Sequence, residues 1–186
     1  MRKFLQIAPY LLVVLLLLTN LALVWQNISL KRVLDASAPR KIASGDYLVD
    51  FVSTLPDGSG KGIRFSEAEV KHVLFFFRSD CKFCHAQVPL WKELHRRLDP
   101  NKYSVVLVTP ESNSSEVHEF LSSNSIENWK VVHVGLNDLV EARINETPTT
   151  VVVNQRSLVE QVWVGRWNTE QIDAVEKAFS IDLPEI

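Results

Sequence analysis

The chain has only two cysteines, and they stand together as Cys81-Lys82-Phe83-Cys84. In front of them runs Val73–Phe77, VLFFF, a short apolar stretch of residues that favour strands and read as a fully buried central strand. Behind them Val88, Trp91, Leu94, Arg97 and Leu98 recur at helical intervals. The cysteines therefore fall where a buried strand ends and a helix begins, with Ser79 or Asp80 as the expected helix cap. A chain that must bury VLFFF and start a helix within a few residues is constrained to strand–loop–helix packing, with both sulfurs at the loop.

That position carries chemistry. One helical turn brings two sulfurs three positions apart within bonding reach. A bond between them closes almost no loop, so it adds little stability. The first cysteine meets free backbone N–H groups and the positive end of the helix dipole, which favour its thiolate. Cys81 is thus the expected nucleophile and Cys84 the resolving thiol. Arg78, Lys82 and a charged His85 favour the thiolate, and Asp80 opposes it. No resident cofactor or metal is expected beyond a redox-active Cys81–Cys84 disulfide.

Two other chemistries fit part of the pattern. Cys81 to His85 also reads C-x-x-C-H, the attachment motif of c-type haem. The only methionine is Met1, so His72, His95, His118 or His133 would have to supply a sixth ligand, and the several buried strands do not suit a mostly helical haem carrier. Copper on Cys81, Cys84 and His85 is the second, since thiolates suit Cu(I). A docking module without turnover would keep the same fold. A pink colour, copper retained through gel filtration, or disulfide turnover lost in Cys81→Ser separates these readings.

The N-terminal end sets a second constraint. Ile7–Trp25 holds 19 residues without a charge, spanning roughly 28 Å as a helix, close to the thickness of a bilayer core. Tyr10 and Trp25 suit the two interfaces. A cleaved signal peptide is the rival, with Ala36-Ser37-Ala38 as its cleavage site, but the run is longer than a signal core and Pro39 follows the cut. The expected division is an anchor at 1–25, a polar tether at 26–45 and one domain at 46–186. Lys31, Arg32, Arg40 and Lys41 outnumber Arg2 and Lys3, so charge counting alone places the domain in the cytoplasm.

Beyond the cysteines, strand-like stretches appear at Tyr47–Ser53, Tyr103–Val108, Trp129–Val134, Thr149–Asn154 and Leu158–Val164. Helices are expected at Ser114–Ser123, Leu139–Ile144 and Glu170–Phe179, the last capped by Asn168 or Thr169. Pro56-Asp57-Gly58-Ser59-Gly60 marks a turn, and Gln155-Arg156-Ser157 closes a hairpin. A composition of 46% hydrophobic residues and a net charge of -2 rules out a disordered chain and gives no basic excess for nucleic acid. Alternating strands and helices make an α/β domain.

From residue 47 to 180 the chain resembles the thioredoxin-like superfamily, and within it the membrane-anchored, extracytoplasmic ResA and TlpA types linked to cytochrome c maturation. Val73–Phe77 with the cysteine pair, Pro89 in the helix, Thr147-Pro148 before a strand, and Gly165 near the hairpin end carry the resemblance. It implies an α/β thioredoxin-like fold: a central mixed sheet flanked by helices, preceded by one transmembrane helix. It also implies a cis Pro148 beside Cys81, with Thr147 and Pro148 binding an extended substrate. The function implied is thiol–disulfide exchange with protein thiols, in the direction of a reductase. Partners would be protein thiols or disulfides, a recycling redox protein and the membrane itself, with the domain periplasmic. Three positions depart from the pattern. Asp80 stands where a tryptophan is common, Gln87 stands where the ResA type has a glutamate, and Val73–Phe77 has no acid. Asp80, Lys82, His85 and Gln87 are therefore the expected tuning residues.

Overall fold

A computed structural model describes residues 2–37, 40–52, 62–66, 69–112 and 114–184, with side chains before residue 13 and at 32–37 left out. The turn expected at 56–60 lies outside them. The chain divides into two compact units, Met1–Arg40 and Lys41–Ile186.

The first unit is one helix, α1 (Arg2–Ser37). Its described apolar side chains, Leu15 to Leu18 among them, are exposed. Val13–Lys31 is long and apolar enough to cross a membrane. Its two polar side chains before Trp25 are satisfied within the helix: Thr19 Oγ1 and Asn20 Nδ2 each donate to the Leu16 carbonyl at 2.9 Å. That removes the main cost of placing them in lipid. The stretch 26–45, expected as a tether, is helical as far as Ser37. A weak apolar period did not reveal this, because residues such as Gln26, Leu30 and Lys31 favour a helix without marking a face.

In the second unit a five-stranded sheet runs in the order β3-β2-β1-β4-β5. The strands are β1 (Lys71–Phe76), β2 (Tyr103–Thr109), β3 (Val131–His133), β4 (Thr149–Val153) and β5 (Val159–Val164). β1 lies at the centre, parallel to β2 and antiparallel to β4. Successive side chains leave opposite faces of a strand. Val73, Phe75 and Phe77 accordingly enter one apolar cluster, and Leu74 and Phe76 another.

The first cluster holds α2 (Lys82–Arg97), α3 (Ser115–Ser123) and α5 (Thr169–Phe179) against the sheet. Within it Phe75 stacks on Trp91 and Phe77 on Phe120, each pair with centroids 4.7 Å apart. Trp91 Nε1 donates to Thr150 Oγ1 at 3.2 Å, so the indole is buried without leaving its N–H unpaired. The second cluster holds α4 (Leu136–Glu141) and the segment around Leu48 and Phe51.

Four local expectations differ from the structure. Of the strand expected at Tyr47–Ser53, the described residues 47–52 make two isolated bridges, Tyr47 to Leu158 and Phe51 to Ile63. Arg97, expected on the apolar face of α2, is exposed and pairs with Glu93 four residues back. α4 begins three residues earlier than expected, at Leu136, where Asp138 turns back to the Gly135 N–H. The cap of α2 is neither Ser79 nor Asp80 but Cys81.

Candidate active site

The carboxyl end of β1 delivers the chain into Arg78-Ser79-Asp80 and then α2. Each residue of that loop is tied. Glu111, two residues past β2, accepts from the Ser79 N–H at 2.6 Å and from Ser79 Oγ at 2.8 Å. The Ser79 carbonyl faces His85 Nε2 at 3.0 Å. A carbonyl only accepts, so Nε2 carries the proton, and Nδ1 is left to accept from Asn124 Nδ2 at 3.2 Å. Arg78 and Asp80 form a two-pronged pair at 3.0 and 3.1 Å. The guanidinium holds the Asp80 carboxyl below its ordinary range, and the two opposing charges near the thiols largely cancel.

Cys81 sits at the N-cap with extended backbone, φ -85° and ψ 103°. Its sulfur accepts from the Cys84 N–H at 3.2 Å. This is the contact that an N-cap oxygen ordinarily makes, here made to a sulfur. Cys81 is partly exposed and Cys84 is buried, and both are free thiols. Burial, followed by the Cys81 side chain, pushes the Cys84 thiol up to about 12. The pair is thus asymmetric, one sulfur presented and one withheld.

Across the loop, the Thr147–Pro148 peptide bond is cis. The Thr147 carbonyl lies 3.5 Å from Cys81 Sγ. Gly165, at φ +81°, turns the end of β5 so that its N–H reaches the Pro148 carbonyl at 2.7 Å. That conformation favours glycine. Phe83, Glu146, Thr147, Pro148, Gly165 and Arg166 line an open groove of about 570 Å³ beside the sulfur.

Of the residues singled out in the sequence, Cys81, Cys84, Asp80, His85, Thr147 and Pro148 come together at this loop. Lys82 points outward, its ammonium 5.0 Å from the centroid of the Phe83 ring. Gln87 is wholly buried one turn beyond Cys84, and its Oε1 accepts from the Trp167 N–H at 2.8 Å. Its Nε2 has no partner among the described residues. Gln87 therefore fastens the chain after β5 to α2. Among the described residues no three His, Cys, Asp or Glu side chains gather as ligands. His85 has both ring nitrogens engaged, Nε2 with the Ser79 carbonyl and Nδ1 with Asn124.

Sequence reasoning missed Glu111, Asn124 and Arg166. For Glu111 a signal existed: an acidic residue just past the carboxyl end of a buried parallel strand stands where α/β sheets build their sites.

Residues 71–158 match the family model described as thioredoxin-like. Over 150 residues, the chain is 28% identical to the thiol-disulfide oxidoreductase ResA of Halalkalibacterium halodurans, covering 80% of this chain and 82% of that protein. Its fold is similar to StoA of Bacillus subtilis, with a TM-score of 0.53 at 21% identity over 68% of this chain and 96% of that one. It is also similar to the thioredoxin domain of a thiol-disulfide oxidoreductase of Bacteroides vulgatus, with a TM-score of 0.57 at 14% identity over 75% and 99%.

Proposed function

We propose that this chain, whose residues 71–158 match the thioredoxin-like family model, is a membrane-anchored thiol–disulfide oxidoreductase that reduces protein disulfides. The observation that carries the reading is the asymmetric pair: Cys81 caps α2 at the surface while Cys84 lies buried behind it.

The exchange begins with the reduced pair. The Cys81 thiolate attacks one sulfur of a partner disulfide, that S–S bond breaks, and the released partner thiolate takes up a proton. A mixed disulfide joins Cys81 to the partner. Cys84, held as a thiol until then, gives up its proton and attacks Cys81 Sγ. The Cys81–Cys84 bond forms and the second partner sulfur leaves as a thiol. Two electrons and two protons pass to the partner, and a separate redox protein must restore the pair.

Thr147 and Pro148 form the edge against which an extended substrate segment lies. The Thr147 carbonyl can accept from the Cys81 S–H before attack. The reductive direction is supported by the charges. Arg78 would stabilise a thiolate, but Asp80 takes up its charge, and Cys84 is kept protonated by burial. A reduced pair that gains little from being an anion gives up its electrons readily. Gln87, where the ResA type has a glutamate, can accept a hydrogen bond but cannot relay a proton.

α1 serves as a single-pass anchor, and the domain lies on the extracytoplasmic side, as the likeness to ResA supports. The substrates are disulfides of exported proteins, a class that includes apocytochromes.

The test is the equilibrium of the Cys81–Cys84 pair in the detergent-solubilised chain, read by thiol alkylation across a dithiothreitol series. A potential below about -250 mV supports a reductase. A value near that of strong oxidants, about -120 mV, would make it a disulfide donor. A pair that never closes would end the thiol-exchange reading.

A further inference from the structure

The charges around the groove are not balanced in the way the whole chain is. At this site the carboxylates already have partners within the protein: Asp80 binds Arg78, and Glu146 binds Lys41. Two cations are left over. Arg166 follows Gly165, lines the groove and is exposed, and among the described residues no ion pair or hydrogen bond engages its guanidinium. Lys82 follows Cys81 directly and is exposed, and among the described residues its one contact is the Phe83 ring beneath its ammonium. Phe83 itself lines the groove and is 52% exposed, a large ring left uncovered beside a reactive sulfur. A chain of net charge -2 thus presents a locally positive rim around an apolar floor.

We infer that this groove selects an extended partner segment that carries acidic residues next to its reactive cysteine, with Lys82 and Arg166 as the specificity-determining charges and Phe83 as the apolar contact. The inference rests on the thiol-exchange reading above and names the class of substrate for that same site. Arg166 lines the groove from the chain after β5, and Lys82, at the start of α2, holds its ammonium 5.0 Å from the ring of Phe83, which lines the groove. A segment laid along Thr147 and Pro148 would meet Arg166 and the Phe83 ring that carries the Lys82 ammonium. Complementary charges at such a site raise the encounter rate and fix the register of the bound chain, and both effects weaken as salt rises. A segment bearing lysine or arginine instead would meet like charges and be rejected.

The test uses the full chain in uncharged detergent, reduced beforehand, and two disulfide-bridged peptides of equal length. One carries two glutamates beside its cysteine and the other two lysines. Reduction is followed by the release of a quenched fluorophore. The glutamate peptide should show a kcat/KM about tenfold higher at low salt, and the gap should close in 0.5 M salt. Charge reversal in Arg166→Glu with Lys82→Glu should invert the preference. Arg156→Glu, in the turn at the opposite end of the β4–β5 hairpin, serves as the charge-matched control and should leave the preference as it was. Equal rates for the two peptides, or a preference that survives the double reversal, would overturn the inference while thiol exchange stands. If neither peptide nor the neutral disulfide of mercaptoethanol is reduced, the thiol-exchange reading fails, and the substrate class fails with it.

Discussion

Cys81 Sγ and the Thr147 carbonyl oxygen lie 3.5 Å apart, although 66 positions separate them in the chain. The proposed nucleophile and the edge that would hold its substrate therefore belong to different elements: the strand–helix junction after β1, and the loop that enters β4. Because β4 pairs directly with β1 through Phe76 and Thr149, the sheet fixes this distance.

The asymmetry of the pair predicts different fates for the two serine variants. Cys81→Ser should abolish disulfide reduction. Cys84→Ser should keep the first attack and stop there, accumulating a mixed disulfide that non-reducing electrophoresis resolves and dithiothreitol releases. Equal loss in both without a trapped species would contradict the assignment of attack to Cys81.

Burial of Cys84 also makes the reduced protein sensitive to alkali. Its folded value, about 12, lies above its ordinary value of 9.0. The contribution to stability is therefore complete below about pH 9 and is lost as pH rises from there toward 12. Denaturation of the reduced chain should show a steeper loss between pH 8 and pH 10 than Cys84→Ala shows. Parallel curves would mean that the thiol is not withheld from water.

Glu111 should behave as the strut of the active-site loop. In Glu111→Ala the Ser79 N–H loses its acceptor, at a cost of about 1–3 kcal/mol. The loop would loosen and alkylation of Cys81 at fixed pH would change in rate. Glu111→Gln keeps an accepting oxygen and should recover most of both. Urea midpoints and iodoacetamide rates check the pair of variants, and no difference between alanine and glutamine would remove the role.

Gln87 predicts a loss of a different kind. Replacing it with leucine leaves the buried Trp167 N–H without a partner, although it also removes the orphaned Nε2. The net expectation is a destabilisation of about 1 kcal/mol, with weaker substrate binding because Arg166 precedes the released residue. Thermal unfolding, with KM compared against kcat, reads both effects.

His72 carries an acid-sensitive term. It is buried with neither ring nitrogen bonded, and burial, then the charge of Lys130, lowers its pKa from 6.5. The unfolded chain takes up a proton near pH 6.5 that the folded one resists, so stability falls as pH drops below that value. Replacement by phenylalanine should shrink the decline in urea midpoint between pH 7.5 and pH 5. An unchanged decline would place the acid sensitivity elsewhere.

Much of this site is visible in the sequence because it is local. Val73–Phe77, the cysteine pair and the period of α2 lie within about one strand and one helix, where side-chain spacing alone decides which face is buried. Even there the cap was misread, since Ser79 and Asp80 are better cap residues than cysteine. They were unavailable because Glu111 and Arg78 hold them.

What the amino-acid sequence determined by itself was the chemistry and its position: two thiols, one turn apart, between a buried strand and a helix, on a chain that starts with a long apolar helix. Only the tertiary structure decided what surrounds those thiols. Glu111 reaches Ser79 across 32 residues, Asn124 reaches His85 across 39, and Trp167 reaches Gln87 across 80. Strand and helix periods report which side of an element faces inward, but not which other element lies opposite. That is set by the order β3-β2-β1-β4-β5, in which the central place of β1 brings the ends of β2 and β4 to either side of one sulfur.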